Sequence, residues 1–136
     1  MVRDVMMTGA RGEGFIEVDG EQVPILLTNR ALAEVEKRLG VRFLGMLAGG
    51  DDSAHMMAYL FRELSVECIT ELLRAGLEYG RQDAGLRRQR YTLDEAWQII
   101  DQHGIAEITV IVATALGEVL SYHRTGDKEN ETDSPP

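Results

Sequence analysis

A single cysteine, Cys68, excludes an internal disulfide and a cysteine-rich metal site, and such usage fits a reducing, intracellular compartment. Bases are scarce too. Fourteen Lys and Arg stand against 23 Asp and Glu, and a formal net charge of −9 argues against nucleic acid as a primary partner because the overall field repels phosphate. The longest uncharged run, residues 108–117, is about half the length a membrane span needs. The N-terminus carries Asp4 and no apolar core of signal-peptide length, so a soluble cytoplasmic protein is expected. Residues 124–136 contain no Ile, Leu, Val or aromatic residue and read as a disordered acidic tail. Residues 1–13 show no period and are left unassigned.

What remains is enough for one core. With 44% hydrophobic and 27% charged residues in 136, residues 14–123 are expected to form a single domain. Most of the 14 glycines fall between periodic segments, which predicts short elements. The fold class expected is α+β, mostly α: an N-terminal β-hairpin followed by about four helices.

Ile16, Val18, Val23, Ile25 and Leu27 alternate with Glu17, Asp19 and Gln22 around Asp19-Gly20, a type I′ turn signal. A two-residue turn pairs Ile16 with Val23 and a four-residue loop pairs Val18 with Val23; both bury the same face. Pro24 cannot donate to a ladder, so an exposed edge is expected there. Thr28 or Asn29 caps a helix carrying Leu32, Val35 and Leu39 up to Gly40. Phe43, Leu44, Met46 and Leu47 suggest a short helical turn, residues 49–53 a loop, and Met56 to Phe61 a further helix starting near Ser53. Ser65 caps a helix with Val66, Ile69, Leu72, Leu73, Gly76, Leu77 and Gly80 on one side, Gly76 marking close packing. Residues 81–90 read as a basic linker. Thr92-Leu93-Asp94-Glu95 is a capping box opening a helix that buries Leu93, Ala96, Trp97 and Ile100 and stops at Gly104. Ile105, Ile108, Ile111, Val112, Ala115, Leu116 and Val119 fit a last helix, with strand as the minority reading.

Few residues suggest chemistry. His55, His103 and His123 are too far apart for a local metal motif, and a structural role is favoured, with His103 near free carbonyls at a helix end. Cys68 lies near the apolar side of a helix and reads as a buried, inert thiol. The glycines of residues 9–14 precede a strand rather than open a helix, and lack the Lys-Ser/Thr of a phosphate loop. Asp51, Asp52 and Ser53 read as a solvated turn rather than a calcium loop. Arg81, Arg87, Arg88 and Arg90 could meet nucleic acid or an acidic segment, but stacking aromatics are missing except Tyr91, which favours a solvated linker paired with acidic surface. No catalytic, cofactor-binding or metal-binding residue is assigned. Met46, Met56 and Met57 lie near a glycine-rich break, where core filling is favoured over an adaptable binding surface; on the surface reading the partner-binding candidates are Phe43, Met46, Leu47, Met56 and Met57.

Ile25-Leu26-Leu27-Thr28-Asn29 followed by residues 31–40 resembles the small tail proteins of long-tailed phages and gene transfer agents, the tail assembly chaperones. Leu64-Ser65-Val66 leading to Ala75-Gly76-Leu77 looks like a second signature of that family, and residues 91–96 with Ile99-Ile100 look like a third. Their order and spacing, over roughly residues 14–122, carry the resemblance. The Met-rich segment 49–62 and the arginine-rich linker 81–90 depart from it. The resemblance implies a non-enzymatic cytoplasmic chaperone of phage or prophage origin, without cofactors. Its partners would be the tape-measure protein and the tail tube protein, with a homo-oligomer possible and no place in the mature particle. The alternatives are a structural tail tube or tube-associated protein, and a small DNA-binding or toxin-neutralising regulator using Arg87, Arg88 and Arg90.

Overall fold

In the computed structural model, which describes residues 12–45 and 64–122 with Ala58 and Arg62 between them, strands β1 (Glu13–Val18) and β2 (Glu21–Leu26) close through Asp19-Gly20. Both turn residues take positive φ, 53° and 82°, as a type I′ turn requires. The pairs Val18–Glu21 and Ile16–Val23 select the two-residue register. Ile16, Ile25 and Leu27 are buried on one face, while Glu17, Asp19 and Gln22 are exposed.

Helix α1 (Asn29–Leu39) follows directly. Its cap is Thr28, whose Oγ1 accepts the Ala31 N–H at 2.9 Å. Ala31, Leu32 and Val35 turn inward, and the Gly40 N–H closes the end on the Glu36 carbonyl at 2.8 Å. Residues 43–45 make a 3₁₀ turn. Met46, Leu47, the loop at 49–53 and the apolar residues expected on a helix from Ser53 lie outside the described residues; Ala58 and Arg62 are helical and exposed.

Helix α2 (Val66–Ala84) starts at Ser65, whose Oγ accepts the Cys68 N–H at 3.1 Å, and runs for 19 residues. It does not end near Gly80. Residues 81–84, expected in a linker, form its last turn, and the stop is Gly85 at φ 69°. The linker is therefore shorter, and Arg81 is a helical residue. Cys68, Ile69, Leu72, Leu73, Ala75 and Leu77 are all buried, so α2 is enclosed by its neighbours over much of its circumference. Val66, expected on the buried side, is half exposed because it opens the first turn before the helix enters the core.

The edge of β2 explains why α2 carries glycine. A two-residue hairpin closes on a hydrogen-bonded pair, so alternation makes Phe15–Pro24 a non-hydrogen-bonded pair. The missing N–H of Pro24 then points away from β1 and costs the ladder nothing. Pro24 is buried, contrary to the expectation of an exposed edge, because α2 lies across it. A Cβ at Gly80 would sit 2.5 Å from the Pro24 carbonyl oxygen and 3.0 Å from the Ile25 Cα. Gly76 also faces the hairpin, but there a Cβ would meet the side chains of Ile25 and Leu27 at 3.4 Å. Gly80, more than Gly76, is the point of close approach.

Helix α3 (Leu93–His103) begins with the Thr92–Glu95 capping box in both directions. It buries Ala96, Ile99 and Ile100; Leu93 and Trp97 are only half-buried, and Ile99 takes the inward place expected of Trp97. Helix α4 (Ile105–Ser121) is continuous, so the strand alternative fails at its β-branched centre. Ile108, Val112, Ala115 and Leu116 reach the core, while Ile105, at the first helical position, is exposed. Gly104 joins the two helices at a bend of 117°, and among the described residues no single helix is long and apolar enough to cross a membrane. The arrangement is an α+β domain, mostly α, with the hairpin and α1, α3 and α4 gathered around α2.

These contacts set apart two substitutions that look alike in sequence. Gly80→Ala forces helix and strand backbones apart and is expected to lower stability by ~1–3 kcal/mol in urea unfolding, despite its helix-propensity gain. Gly76→Ala, which meets only movable side chains, is expected to change it by less than ~1 kcal/mol. Equal effects would contradict the assignment of Gly80 as the crossing point.

Candidate functional site

The apolar candidates after α1 separate into an anchor and a surface. Phe43 is 1% exposed and belongs to the core, so it presents nothing to a partner. Its N–H donates to Glu36 Oε2 at 2.8 Å, which pins the loop back on α1. The next residue then points outward: Leu44 is 70% exposed. Met46, Leu47, Met56 and Met57 lie outside the described residues. Beside Leu44 an open groove of about 770 Å³ runs past Ala33, Lys37, Val41 and Arg42. Its lining is mostly apolar, with two cations, Lys37 and Arg42, and the Glu36 carboxylate already engaged by the Phe43 N–H. The candidate surface therefore shifts from Phe43 to Leu44, a difference alternation alone does not reveal in a short 3₁₀ turn.

A second constellation was not foreseen. Glu78 is 3% exposed on α2, yet its carboxylate accepts four hydrogen bonds: Arg81 Nε and the Tyr91 N–H at Oε1, and Arg81 Nη2 and Gln82 Nε2 at Oε2. The bonds from Arg81, chiefly, outweigh burial and hold the Glu78 pKa at about 2. Arg81 in turn donates through Nη1 to the carbonyls of Leu86 and Arg88 at 3.4 and 3.2 Å. This knot folds the α2–α3 connection back on the helix. Arg88 lies 3.7 Å over the Tyr91 ring and donates to Glu95 Oε2 at 2.7 Å. Burial works against the Glu95 carboxylate, but Arg88 and Thr92 keep it below its ordinary range. The expected pairing of the arginines with acidic groups is thus present at Arg81 and Arg88. Arg87 is exposed, and Arg90 reaches only 3.9 Å from Glu78.

Glu71, one heptad before Glu78 on α2, accepts both Nε and Nη2 of Arg38 at 3.1 Å and ties α1 to α2. Two glutamates seven residues apart among the apolar positions of α2 were the available sequence signal. The cation of Glu71 comes from α1, 33 residues earlier, which no local motif announces; that of Glu78 is Arg81, one turn further along the same helix and hidden only by the reading of residue 81 as linker.

The remaining polar groups are structural. Cys68 is buried, and burial first, then Glu71 and Glu67, push its thiol up to about 11. His103 turns away from its own helix end: Nε2 donates to the Glu17 carbonyl on β1 at 2.6 Å, and Nδ1 faces Glu107 at 3.3 Å. It clips the hairpin to the α3–α4 corner. His55 and His123 lie outside the described residues. A concavity of about 340 Å³ at the open end of the hairpin is lined by Leu26, Leu27, Asn29 and Val119 with Glu13 and Asp83. Nearby, burial and then Glu13 raise the Glu118 carboxyl, opposed by a bond from the Gly12 backbone. Among the described residues, no group of three or more His, Cys, Asp or Glu side chains could hold a metal ion.

Two measurements check these environments. The unfolded chain protonates Glu78 near the ordinary 4.5 and the folded chain only near 2, so its stabilisation is complete above that upper value. It is lost as pH falls between the two. Glu78→Gln is expected to cost ~3 kcal/mol at pH 7, with the gap to wild type closing as unfolding is measured toward pH 2. A gap independent of pH would remove the carboxylate's role. Cys68, with about one thiol in a thousand ionised at pH 8, should resist iodoacetamide in the folded protein and react readily in urea. No protein-family model matches this chain, and no curated protein or solved structure matches it.

Proposed function

We propose that the chain is a non-enzymatic tail assembly chaperone that binds a tape-measure protein and helps bring tail tube protein to it. The observation that carries this reading is the way its three stretches of family resemblance meet. The capped hairpin–α1 unit packs on the Ala75-Gly76-Leu77 step, where Gly76 faces Ile25 and Leu27, and Arg88 ties the Thr92–Glu95 box to the connection that Glu78 of the same helix holds. A frame made by these stretches leaves the loop after α1 free to vary as a binding surface. The groove beside Leu44 fits that role, having a mostly apolar lining with charged residues in it. A molecule with net charge −9 would also keep a bound apolar partner dispersed.

The two alternatives fit the geometry less well. α2 covers the β2 edge at Pro24, so that edge is not open to strand-by-strand ring assembly of a tube. Of Arg87, Arg88 and Arg90, Arg88 spends its guanidinium on Glu95, which leaves the DNA-binding set two exposed arginines on an acidic chain.

Co-expression with the tape-measure protein tests the proposal. The wild type should keep that protein soluble and elute with it in size exclusion, and mass spectrometry should find the chain missing from finished particles. Leu44→Asp should abolish co-elution while changing stability by less than ~0.5 kcal/mol, as expected for an exposed position. A tape-measure protein no more soluble with the wild type than without it ends the chaperone reading.

A further inference from the structure

A polar cleft of about 300 Å³ opens where α1, α2 and the α2–α3 connection meet, lined by Glu34, Arg74, Glu78, Tyr79, Arg81 and Arg90 together with Gln82. Three guanidinium groups and two carboxylates meet there, and the carboxylates are already engaged. Glu78 has accepted four hydrogen bonds, which fills the lone-pair positions of a carboxylate. Glu34 accepts the Tyr79 hydroxyl at 2.8 Å. Arg81 is consumed by Glu78 and two loop carbonyls.

That leaves Arg74 without an ion pair among the described residues and Arg90 in only a long, exposed one to Glu78. Arg90, with its side chain 78% exposed, stands 3.9 Å from a carboxylate that has no acceptor left for it. Arg74 is half-buried, acts on Tyr79 only through its field, and has no ion pair among the described residues. A half-buried guanidinium is held where it can offer a planar fork of donors, and a carboxylate matches that fork in shape and charge. The cleft has room for one or two side chains. Its one aromatic, Tyr79, is half-buried, and a single ring is a poor platform where single-strand binders stack successive bases on several. Elsewhere the acidic surface repels a polyphosphate, and a short acidic segment can reach this local excess of positive charge without crossing much of it.

We infer that this cleft is a docking site for an acidic segment of a partner polypeptide, its Asp or Glu carboxylate received between Arg74 and Arg90. The site is separate from the Leu44 groove and stands whether or not the chaperone reading does. A fluorescein-labelled oligoglutamate peptide titrated against the full chain at low salt, read by anisotropy, should bind saturably and weaken as salt is raised. Arg74→Gln and Arg90→Gln should each weaken binding by about tenfold, the usual worth of a charge-assisted hydrogen bond. Arg87→Gln, an exposed arginine outside the cleft, should leave it unchanged, and unaltered circular dichroism and unfolding midpoints will show that all three variants fold. Arg90, exposed and making no hydrogen bond to Glu78, keeps the test sound if Arg74→Gln disturbs packing. No saturable binding, equal losses in all three variants, or single-stranded DNA binding as tightly as the peptide through the same arginines would overturn the assignment.

Discussion

The close crossing of α2 over the β2 edge is the constraint on which the other contacts depend. Helix and strand backbones come as near as they do because Gly80 has no Cβ, and because Pro24 turns its carbonyl, not an N–H that needs a partner, toward the helix. Once α2 lies there, Leu72, Leu73 and Leu77 are walled in on several sides, and α1, α3 and α4 complete the enclosure. A helix so enclosed cannot leave its polar positions facing water.

Thr70 answers this within the helix, its hydroxyl donating to the Val66 carbonyl at 2.8 Å. Glu71 and Glu78 answer it through other segments. A buried carboxylate is costly without partners, and replacing a buried ion pair by apolar groups is often neutral for stability, so such a pair chiefly specifies which segments meet. Glu71 selects Arg38 and with it the angle of α1. Glu78 selects the course of residues 85–92, because its oxygens receive the Tyr91 N–H while Arg81 holds the Leu86 and Arg88 carbonyls. The capping box of α3 is thereby delivered in register, with Arg88 spanning to Glu95.

Local signals in the sequence read well where one residue and its near neighbours decide the outcome. Asp19-Gly20 announced the turn, Thr92 and Glu95 announced the start of α3, and Gly104 announced its end. Signals failed where a distant segment decided. Gly80 resembled a helix stop because its partner is a strand fifty-odd residues earlier, and Arg81 resembled a linker residue only because the helix was expected to end at that glycine. Pro24 at an edge implied exposure, since nothing local foretold a helix laid across it. Phe43 and Leu44 were indistinguishable as apolar neighbours; the bond from Phe43 to Glu36 makes one the anchor and the other the surface. The arginine-rich cleft was legible only as a run of bases, because Arg74 stands two turns before that run on α2 and Glu34 comes from α1.

The same spending of charge shapes what the surface can recognise. Arg38, Arg81 and Arg88 are tied to carboxylates, so the positive charge still available in concave places is concentrated at Lys37 and Arg42 on one side of α1 and at Arg74 and Arg90 on the other. Ala33 and Glu34, adjacent in α1, line the first and second of these concavities. A partner carrying an apolar segment and a short acidic one could therefore engage both along one short helix, while a long polyanion is repelled by most of the surface and a purely apolar partner meets a charged rim. Discrimination of this kind comes as much from what the acidic surface refuses as from what the concavities accept. The helix that carries both is fixed at each end: the Thr28 cap closes its first turn directly after β2, and Glu36 ties its last turns to the loop that carries Leu44.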